Sequence, residues 1–88
     1  DPRVVVVGYG RWGRQCHCYL VRLTPGLVLH GVVSSDREKR KQIEEHEQCK
    51  AYERFDDAIA DPDVDIVILA TPSYTHVDLA VQALNAGK

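Results

Sequence analysis

Three glycines in the stretch GYGRWG, residues 8–13, have the spacing of a loop that binds an anion through its backbone. Gly8 permits a tight turn, Gly10 lets the backbone approach a bound pyrophosphate, and Gly13 allows the following helix to pack closely. Three glycines at this spacing also occur by chance, so the surrounding elements decide whether the pattern marks a dinucleotide site. The remaining positions of the stretch would present backbone N–H groups to the same anion; they are Tyr9, Arg11 and Trp12.

A second stretch, TPSYTH at residues 71–76, follows an apolar run and precedes a helical pattern. Free N–H groups at a helix start favour an anion or another polar ligand group. His76 falls in the first turn of this helix, and both a place beside a cofactor and an ordinary surface position are open for it. The residues that we predict to line a site here are Thr71, Pro72, Ser73 and His76.

The residues after the second predicted strand bear on the type of dinucleotide. An NAD site usually has an acidic residue there for the ribose 2′-hydroxyl, whereas an NADP site needs hydroxyl donors and a cation for the 2′-phosphate. Ser34, Ser35 and Arg37 supply the second set, and the first acid, Asp36, is expected inside the following helix. We therefore favour NADP over NAD. Contact of Asp36 with a ribose, and a role of Ser35 only as a helix cap, stay open.

The glycine stretch lies between a strand and a helix, which is the setting that a dinucleotide loop requires. Residues 4–7 are four valines, typical of a strand buried on both faces. Cys16, Leu20 and Leu23 then recur at helical spacing and are expected to face the core. Residues 27–33 are a second apolar run, so these elements make one βαβ unit.

Helical and strand patterns alternate through the rest of the chain. Ser35 and Glu38 fit a capping box that starts a helix reaching about residue 47. Residues 49–52 are predicted to form a weak third strand and a short helix follows them. The apolar run at residues 64–70 is typical of another central strand of a parallel sheet.

The last pattern predicts a helix that is amphipathic. Thr75 and Asp78 fit a second capping box at its start. An apolar stripe at helical spacing is expected to face the sheet. The members of this stripe are Val77, Ala80, Val81 and Leu84.

Strands that alternate with helices predict an α/β fold, here a Rossmann-type parallel sheet of order 3-2-1-4 with flanking helices. Ligands of such sheets bind beyond the carboxyl ends of the strands where the strand order reverses, which is between the first and fourth strands. The glycine stretch and residues 71–76 are therefore expected to meet at one cleft. This convergence supports a dinucleotide site.

Composition limits the classes of function. The 88 residues suffice for one domain or part of one, and a formal net charge of -2 provides no basic excess for nucleic acid. No apolar run approaches the ~20 residues of a membrane span, and the chain does not begin with the layout of a signal peptide. We expect a cytoplasmic protein whose partners include neither nucleic acid nor a membrane.

Cysteine and histidine spacing gives no sign of a metal site. Cys16, Cys18 and Cys49 are odd in number and lack CxxC spacing, which predicts free thiols in core or boundary positions. The histidines other than His76, including His30, have no carboxylate or cysteine at ligand spacing. We therefore assign no metal ligands.

Three segments, GYGRWGRQCH, DVDIVILATP and ATPSYTHVDLAVQALNAGK, resemble the N-terminal domain of the glucose-fructose oxidoreductase and inositol dehydrogenase family (Gfo/Idh/MocA). The resemblance covers essentially the whole chain, and TPxxxH followed by ALxAGK is its most specific part. It implies an NAD- or NADP-dependent oxidoreductase acting on sugars, cyclitols or related compounds, with Thr71, Pro72 and His76 on the nicotinamide side. Ser73 stands where the family often has asparagine, which weakens a contact assigned to it.

The resemblance also implies that residues 1–88 are the N-terminal part of an NAD(P)-binding Rossmann domain, truncated after the fourth βα unit, with the C-terminal substrate domain absent. Family members continue into a Glu-Lys-Pro segment whose lysine is catalytic. Lys88 matches the lysine that closes AGK instead, so we assign no catalytic residue. A small-molecule substrate would bind through the missing domain, and the parent protein is expected to be a homo-oligomer.

Two other functions stay open for this sequence. One is a non-catalytic dinucleotide-binding sensor or pseudoenzyme, and the other is a methyltransferase that binds S-adenosylmethionine through a similar glycine turn. The open edge expected beside residues 64–70 also predicts marginal stability or aggregation of the 88 residues alone.

Overall fold

The computed structural model of the chain describes residues 1–10 and 13–88, with side chains throughout except at residues 13–15. Its strands are Arg3–Val7 (β1), Val28–Val33 (β2), Lys50–Tyr52 (β3) and Ile66–Leu69 (β4). They pair in parallel in the order β3-β2-β1-β4. The predicted Rossmann-type sheet is therefore confirmed.

Helical segments connect the strands, and π-helical turns adjoin two of them. The α-helices are Tyr19–Leu23 (α1), Arg37–Gln42 (α2), Phe55–Ala60 (α3) and His76–Asn85 (α4). The π-helical turn Gly13–Cys18 leads into α1, the turn Ile43–Glu47 follows α2, and a 3₁₀ turn, Ser73–Thr75, precedes α4. Within the described residues, no helix has the length and apolarity that a membrane crossing requires.

β1 lies at the centre of the molecule. It pairs with β2 on one side and with β4 on the other, and Val5 and Val6 are fully buried. Alternate side chains of a strand point to opposite faces, so Val5 packs with Ala58 of α3 while Val6 packs with Ile43 on the other face. Because both faces are covered, the loop that follows β1 leaves from a well-fixed end.

β4 is shorter than the apolar run that predicted it. The expectation was residues 64–70, whereas the strand is Ile66–Leu69. Val64 is buried, but its N–H bonds to the carbonyl of Asp61 at 3.1 Å in a turn rather than to β1. Hydrophobicity therefore extends beyond the strand into the turn that leads to it.

The first helix buries a different face from the predicted one. Leu20 and Leu23 are exposed, and Cys18 and Val21 are the buried residues instead. The π-helical turn Gly13–Cys18 closes i→i+5 bonds, so it carries one residue more than an α-helical turn. Regular α-helical spacing counted across this turn therefore assigns the wrong residues to the buried face.

Of the four residues in the stripe predicted to hold α4 on the sheet, only Ala80 is half-buried and the other three are exposed. Val77, Val81 and Leu84 are 74%, 50% and 70% exposed. The residues of α4 that contact the core are different ones: Leu79 packs against the hydrophobic core, and Ala83 is buried. The helix has apolar residues at helical spacing on two faces, so periodicity alone does not identify the face that covers the sheet.

Candidate functional site

A cleft of about 510 Å³ lies at the carboxyl ends of β1, β2 and β4. This volume is in the range of cofactor and ligand sites. The cleft brings together the three segments that the sequence assigned to a site. Its lining residues are Val7, Gly8, Tyr9, Gly10, Val33, Ser34, Ser35, Asp36, Lys39, Glu53, Phe55, Ala70, Thr71 and Pro72.

The two described glycines of the loop play different parts. Gly8 has φ +102°, and a Cβ built there would lie 3.1 Å from the carbonyl oxygen of Ala70. Its N–H donates to the carbonyl of Val33 at 2.9 Å, so this residue ties the ends of β1, β2 and β4 together. A Cβ on Gly10 would meet no described atom within 4 Å. Gly10 therefore leaves open space on the loop, as the approach of a pyrophosphate to the backbone requires.

Tyr9 contributes its backbone to the cleft and its side chain to the core. The ring is buried, and its hydroxyl donates to Glu47 Oε2 at 2.7 Å. Arg22 Nε lies 3.4 Å from the other oxygen of the same carboxylate. Glu47 is 38 positions from Tyr9, and no local pattern of the sequence could have indicated this contact.

Asp36, rather than Ser35, caps α2, so the predicted capping box is wrong. Asp36 Oδ1 accepts from the N–H groups of Glu38 at 2.9 Å and Lys39 at 3.3 Å. The backbone of Asp36 is extended, with φ -85° and ψ 120°, as an N-cap requires, and aspartate caps helices as well as serine does. Ser34, two residues before it, accepts from the Asp36 N–H through Oγ at 3.3 Å.

Among the described residues that line the cleft, the cation is Lys39, which the sequence pattern did not indicate. Lys39 lines the cleft, while Arg37 lies on the adjoining outer face of α2 with Arg40 and Lys41. Arg40 donates to the carbonyl of Ser34 at 3.0 Å and so braces the turn after β2. Once Asp36 is taken as the cap, Lys39 becomes the third residue of the first helical turn, a position from which its side chain reaches the ligand side.

The TPSYTH loop is held by its own side chains. Thr75 Oγ1 donates to the carbonyl of Pro72 at 2.7 Å and lies 2.6 Å from Thr71 Oγ1. His76 Nε2 donates to the carbonyl of Thr71 at 2.7 Å. The predicted capping box of Thr75 and Asp78 is wrong, because the Thr75 hydroxyl makes these loop bonds and no capping bond.

Thr71 and Pro72 line the cleft, as predicted, at the carboxyl end of β4. Ser73 lies in the 3₁₀ turn that follows, and His76 begins α4. The half-buried His76 ring fixes the loop through Thr71. Arg11 and Trp12 lie outside the described residues, and Gly13 begins the π-helical turn that leads into α1.

A second polar cluster lies at the opposite end of the sheet, around Asp61. His30 Nε2 is 3.2 Å from Asp61 Oδ2, so this histidine has a carboxylate partner that sequence spacing did not reveal. Tyr52 also donates to Asp61 Oδ2, and Lys50 lies 3.5 Å from it. The hydrogen bond from Tyr52, followed by that from the Asp63 N–H, holds the pKa of Asp61 well below its usual range.

The ligand atoms of His30, Asp61 and Asp63 lie within 4.8 Å of one another. The Asp61 carboxylate already faces the Lys50 ammonium, and Asp63 is paired with Arg3 at 3.5 Å. This charge balance is that of a structural ion-pair cluster rather than of a site that awaits a cation.

The three cysteines are free thiols. Burial, followed by the charge of Glu47, raises the pKa of Cys18 to about 12 and that of Cys49 to about 12. Both thiols are therefore protonated at neutral pH. They act as small apolar side chains beside the Glu47 carboxylate.

Comparison with known proteins identifies the kind of protein that shares this fold. The profile of GFO_IDH_MocA, described as an oxidoreductase family with an NAD-binding Rossmann fold, matches residues 2–88. An uncharacterized oxidoreductase of Escherichia coli, YdgJ, is 35% identical over 86 residues, which are 98% of this chain and 24% of that protein. The inositol 2-dehydrogenase of Rhodococcus jostii is 36% identical over 100% of this chain and 24% of its own length.

Solved structures give the same result. The scyllo-inositol dehydrogenase of Lactobacillus casei, with bound NAD(H) and scyllo-inositol, matches with a TM-score of 0.91 and 27% identity over 100% of this chain and 26% of that one. A Klebsiella pneumoniae structure described as a candidate oxidoreductase matches with a TM-score of 0.89 and 38% identity over 100% of this chain and 25% of its own. The chain thus spans about a quarter of the length of the proteins that it matches.

Proposed function

Because the chain belongs to the GFO_IDH_MocA oxidoreductase family, whose NAD-binding domain matches residues 2–88, we propose that it serves hydride transfer in a longer enzyme. In this proposal residues 1–88 hold the dinucleotide, and a further domain of the enzyme binds the substrate. The coverage of only about a quarter of the relatives supports this division. When bound, the nicotinamide would accept or supply the hydride.

The arrangement at the glycine loop is the observation that carries the proposal. Gly8 is required by its positive φ and by the nearby carbonyl of Ala70, whereas a Cβ at Gly10 would contact none of the described atoms. Thr71 and Pro72 bring the second loop to the same cleft. These residues would bind the pyrophosphate and keep the nicotinamide half between the ends of β1 and β4.

The proposed substrate class is a sugar or cyclitol. Support comes from relatives named as inositol 2-dehydrogenases in Rhodococcus jostii and Mycolicibacterium vanbaalenii, of which the second is 40% identical over 77 residues. The test is whether the full-length protein oxidises any member of a panel of inositols and sugars. The reaction is monitored by the absorbance of the reduced nicotinamide. If no compound of the panel leads to reduction of NAD or NADP, the proposed substrate class is rejected.

The preferred dinucleotide in our proposal is NADP. One oxygen of the Asp36 carboxylate, the group that an NAD site would direct at the ribose, already accepts two N–H groups of α2. Ser34 and Ser35 supply hydroxyl groups beside the cleft, and Lys39 adds a positive charge there. Relatives differ in this property: the Lactobacillus casei enzyme holds NAD(H), and a Desulfitobacterium hafniense structure with 25% identity and a TM-score of 0.90 is described as NADPH-dependent.

Lys39→Ala tests the preference. Loss of one charge-assisted contact to the 2′-phosphate is expected to weaken NADPH binding about tenfold while NADH binding changes little. Lys41→Ala removes the same charge from the outer face of the same helix and is the matched control. Arg37→Ala is expected to have a smaller effect than Lys39→Ala. If both Lys39→Ala and Arg37→Ala leave the ratio of the NADPH and NADH dissociation constants unchanged, the 2′-phosphate assignment is wrong.

A cytoplasmic location is part of the same proposal. Free thiols at Cys16, Cys18 and Cys49 suit a reducing compartment. Titration with S-adenosylmethionine separates this function from a methyltransferase, because tighter binding of that compound than of either dinucleotide would reject hydride transfer.

A further inference from the structure

A buried carboxylate lies directly behind the glycine loop. Glu47 ends the π-helical turn Ile43–Glu47, and its side chain is only 4% exposed. The next residue, Gln48, has φ 54°, in the left-handed region. The π-helical turn and the left-handed residue set the direction in which the chain leaves this helix, and Glu47 at the junction points inward rather than toward solvent.

An ionised carboxylate in such a position is costly unless it is paired. Glu47 Oε2 accepts the Tyr9 hydroxyl at 2.7 Å, and Arg22 Nε is 3.4 Å from Oε1. Oε1 has no hydrogen bond to any described residue. The raised pKa values of Cys18 and Cys49, for which the Glu47 charge is the cause next after burial, place both thiols near that charge. Among the described residues, the carboxylate is therefore only partly compensated.

The contact with Tyr9 links this carboxylate to the ligand site. Tyr9 stands between Gly8 and Gly10, which are the residues of the loop with the greatest backbone freedom. Its ring is buried among core side chains that include Val6 and Ile43. The two glycines allow this loop several backbone conformations. A contact between Tyr9 and a residue outside the loop therefore limits the conformations that the loop adopts.

We propose that Glu47, paired with Arg22, is a positioning residue for the dinucleotide site, which holds Tyr9 so that the N–H groups of the loop face the pyrophosphate. This inference rests on the proposed binding of a dinucleotide at the cleft. Glu47 and Arg22 lie outside the lining of the cleft and act through Tyr9. The pyrophosphate is common to NADH and NADPH, so both must be affected by the same factor.

Tyr9→Phe is the main test, because it removes the hydroxyl and keeps the ring in the core. We expect the dissociation constants of NADH and NADPH to rise together by roughly tenfold, in line with the loss of one hydrogen bond to a charged group. Glu47→Ala is expected to have at least the same effect. Glu47→Gln retains an oxygen that accepts from Tyr9, and its affinity should stay within about twofold of the wild type.

Tyr52→Phe is the matched control for a purely structural role. Tyr52 also donates to a carboxylate, that of Asp61, but neither residue lines the cleft. This variant should lower the free energy of unfolding and leave both dissociation constants unchanged. Binding is measured by isothermal titration calorimetry in the longest natural form of the protein, and stability is measured by urea unfolding of the same samples.

The outcomes separate this inference from the proposed function. If the wild type binds neither dinucleotide, the proposed function fails and the inference fails with it. If the wild type binds and Tyr9→Phe binds as tightly, only the inference is overturned. Equal losses of affinity in Tyr9→Phe and Tyr52→Phe would assign the effect to stability and would also overturn it. A loss confined to NADPH would place the effect at the 2′-phosphate and reject a role at the pyrophosphate.

Discussion

At the scale of single residues, Gly8 and Gly10 meet two different requirements of a binding loop, which are a tight turn and space for a ligand. Gly8 answers a demand of the fold, since its φ is +102° and its Cβ would be 3.1 Å from the Ala70 oxygen. Gly10 has no such constraint among the described atoms. Gly8 thus forms the turn, and in the proposed site Gly10 keeps space for the pyrophosphate.

Alanine at each position should therefore produce different losses. Gly10→Ala is expected to keep the free energy of unfolding within about 0.5–1 kcal/mol of the wild type and to abolish measurable dinucleotide binding, because the new methyl group occupies the space of the pyrophosphate. Gly8→Ala is expected to lower stability by about 1–3 kcal/mol, since it combines backbone strain with a steric contact. Urea unfolding and calorimetric titration of the two variants check this. Unimpaired binding by Gly10→Ala would place the ligand elsewhere.

Several residues of the site were predictable from the sequence because their signals are local. Gly8, Gly10, Thr71 and Pro72 are in the cleft, as their positions at strand ends indicate. The dependence of Tyr9 on Glu47 was not predictable, because the two residues meet only through the tertiary fold. Sequence patterns of this kind identify the groups that face a ligand better than the groups that hold them in place.

At the scale of elements, Asp61 joins strands and helices that are far apart in the chain. It accepts from Tyr52 at the end of β3 and from His30 of β2, and its backbone carbonyl accepts from Lys88 Nζ at 3.0 Å. The Tyr52 ring fits there because β2 has Gly31 beside it, where a Cβ would lie 2.5 Å from the ring. The glycine in the middle of β2 is thus explained by packing between strands.

The hydrogen bonds that the Asp61 carboxylate accepts, above all from Tyr52, make stability sensitive to acid. Its pKa is lowered in the folded state, so the stabilisation is fully present above the unfolded value of about 4 and is lost as pH falls through the folded value. We expect the free energy of unfolding to decrease as pH is lowered below about 4. Asp61→Asn should flatten this dependence in urea unfolding measured at a series of pH values.

Asp56→Asn is the control, because that carboxylate is well exposed and pairs only with an exposed arginine, Arg54. It should leave the acid dependence as it is in the wild type. An Asp61→Asn protein with the same pH dependence as the wild type would contradict the role given to Asp61.

The order of the strands and helices was easier to predict than the face that each helix turns toward the sheet. Alternating apolar runs and helical spacing gave four parallel strands in the observed order, since buried parallel strands and crossover helices leave strong patterns. The buried faces of the first and last helices were predicted wrongly, through Leu20 and Val81 among others. A π-helical turn changes the phase of one helix, and the other has two apolar faces, so only the three-dimensional packing selects one.

At the scale of the whole molecule, the sheet is well buried at β1 and poorly covered around α4. Val77, Val81 and Leu84 form an exposed apolar stripe, with the exposed Tyr74 near its start and Ile66 of β4 also exposed. Apolar stripes of this kind on a folded protein usually contact another surface. The family assignment agrees with that expectation, because this chain spans about a quarter of its relatives.

The 88-residue chain alone is therefore expected to self-associate with increasing concentration. Sedimentation velocity should show a rising average mass, and the double variant Val81→Lys/Leu84→Lys should lower it by interrupting the stripe. Gln82→Lys/Asn85→Lys adds the same charge at polar, exposed positions of α4 and is the control. A wild-type chain that sediments as a monomer at every concentration would refute this expectation.

The separation of the cleft from the Asp61 cluster has a consequence for how such a domain can change. The carboxyl end of the sheet holds the residues of the proposed dinucleotide site, whereas the Asp61 carboxylate lies outside that cleft and joins side chains of β2, β3 and the end of the chain. No hydrogen bond among the described residues joins the side chains of residues 34–39 to Asp61 or its partners, and the link between the two regions is the backbone bond from the Ser34 N–H to the Tyr52 carbonyl at 3.0 Å. Side chains at the cleft can therefore change while the contacts of Asp61 continue to stabilise the fold. A scaffold that is reused with new specificities needs this separation.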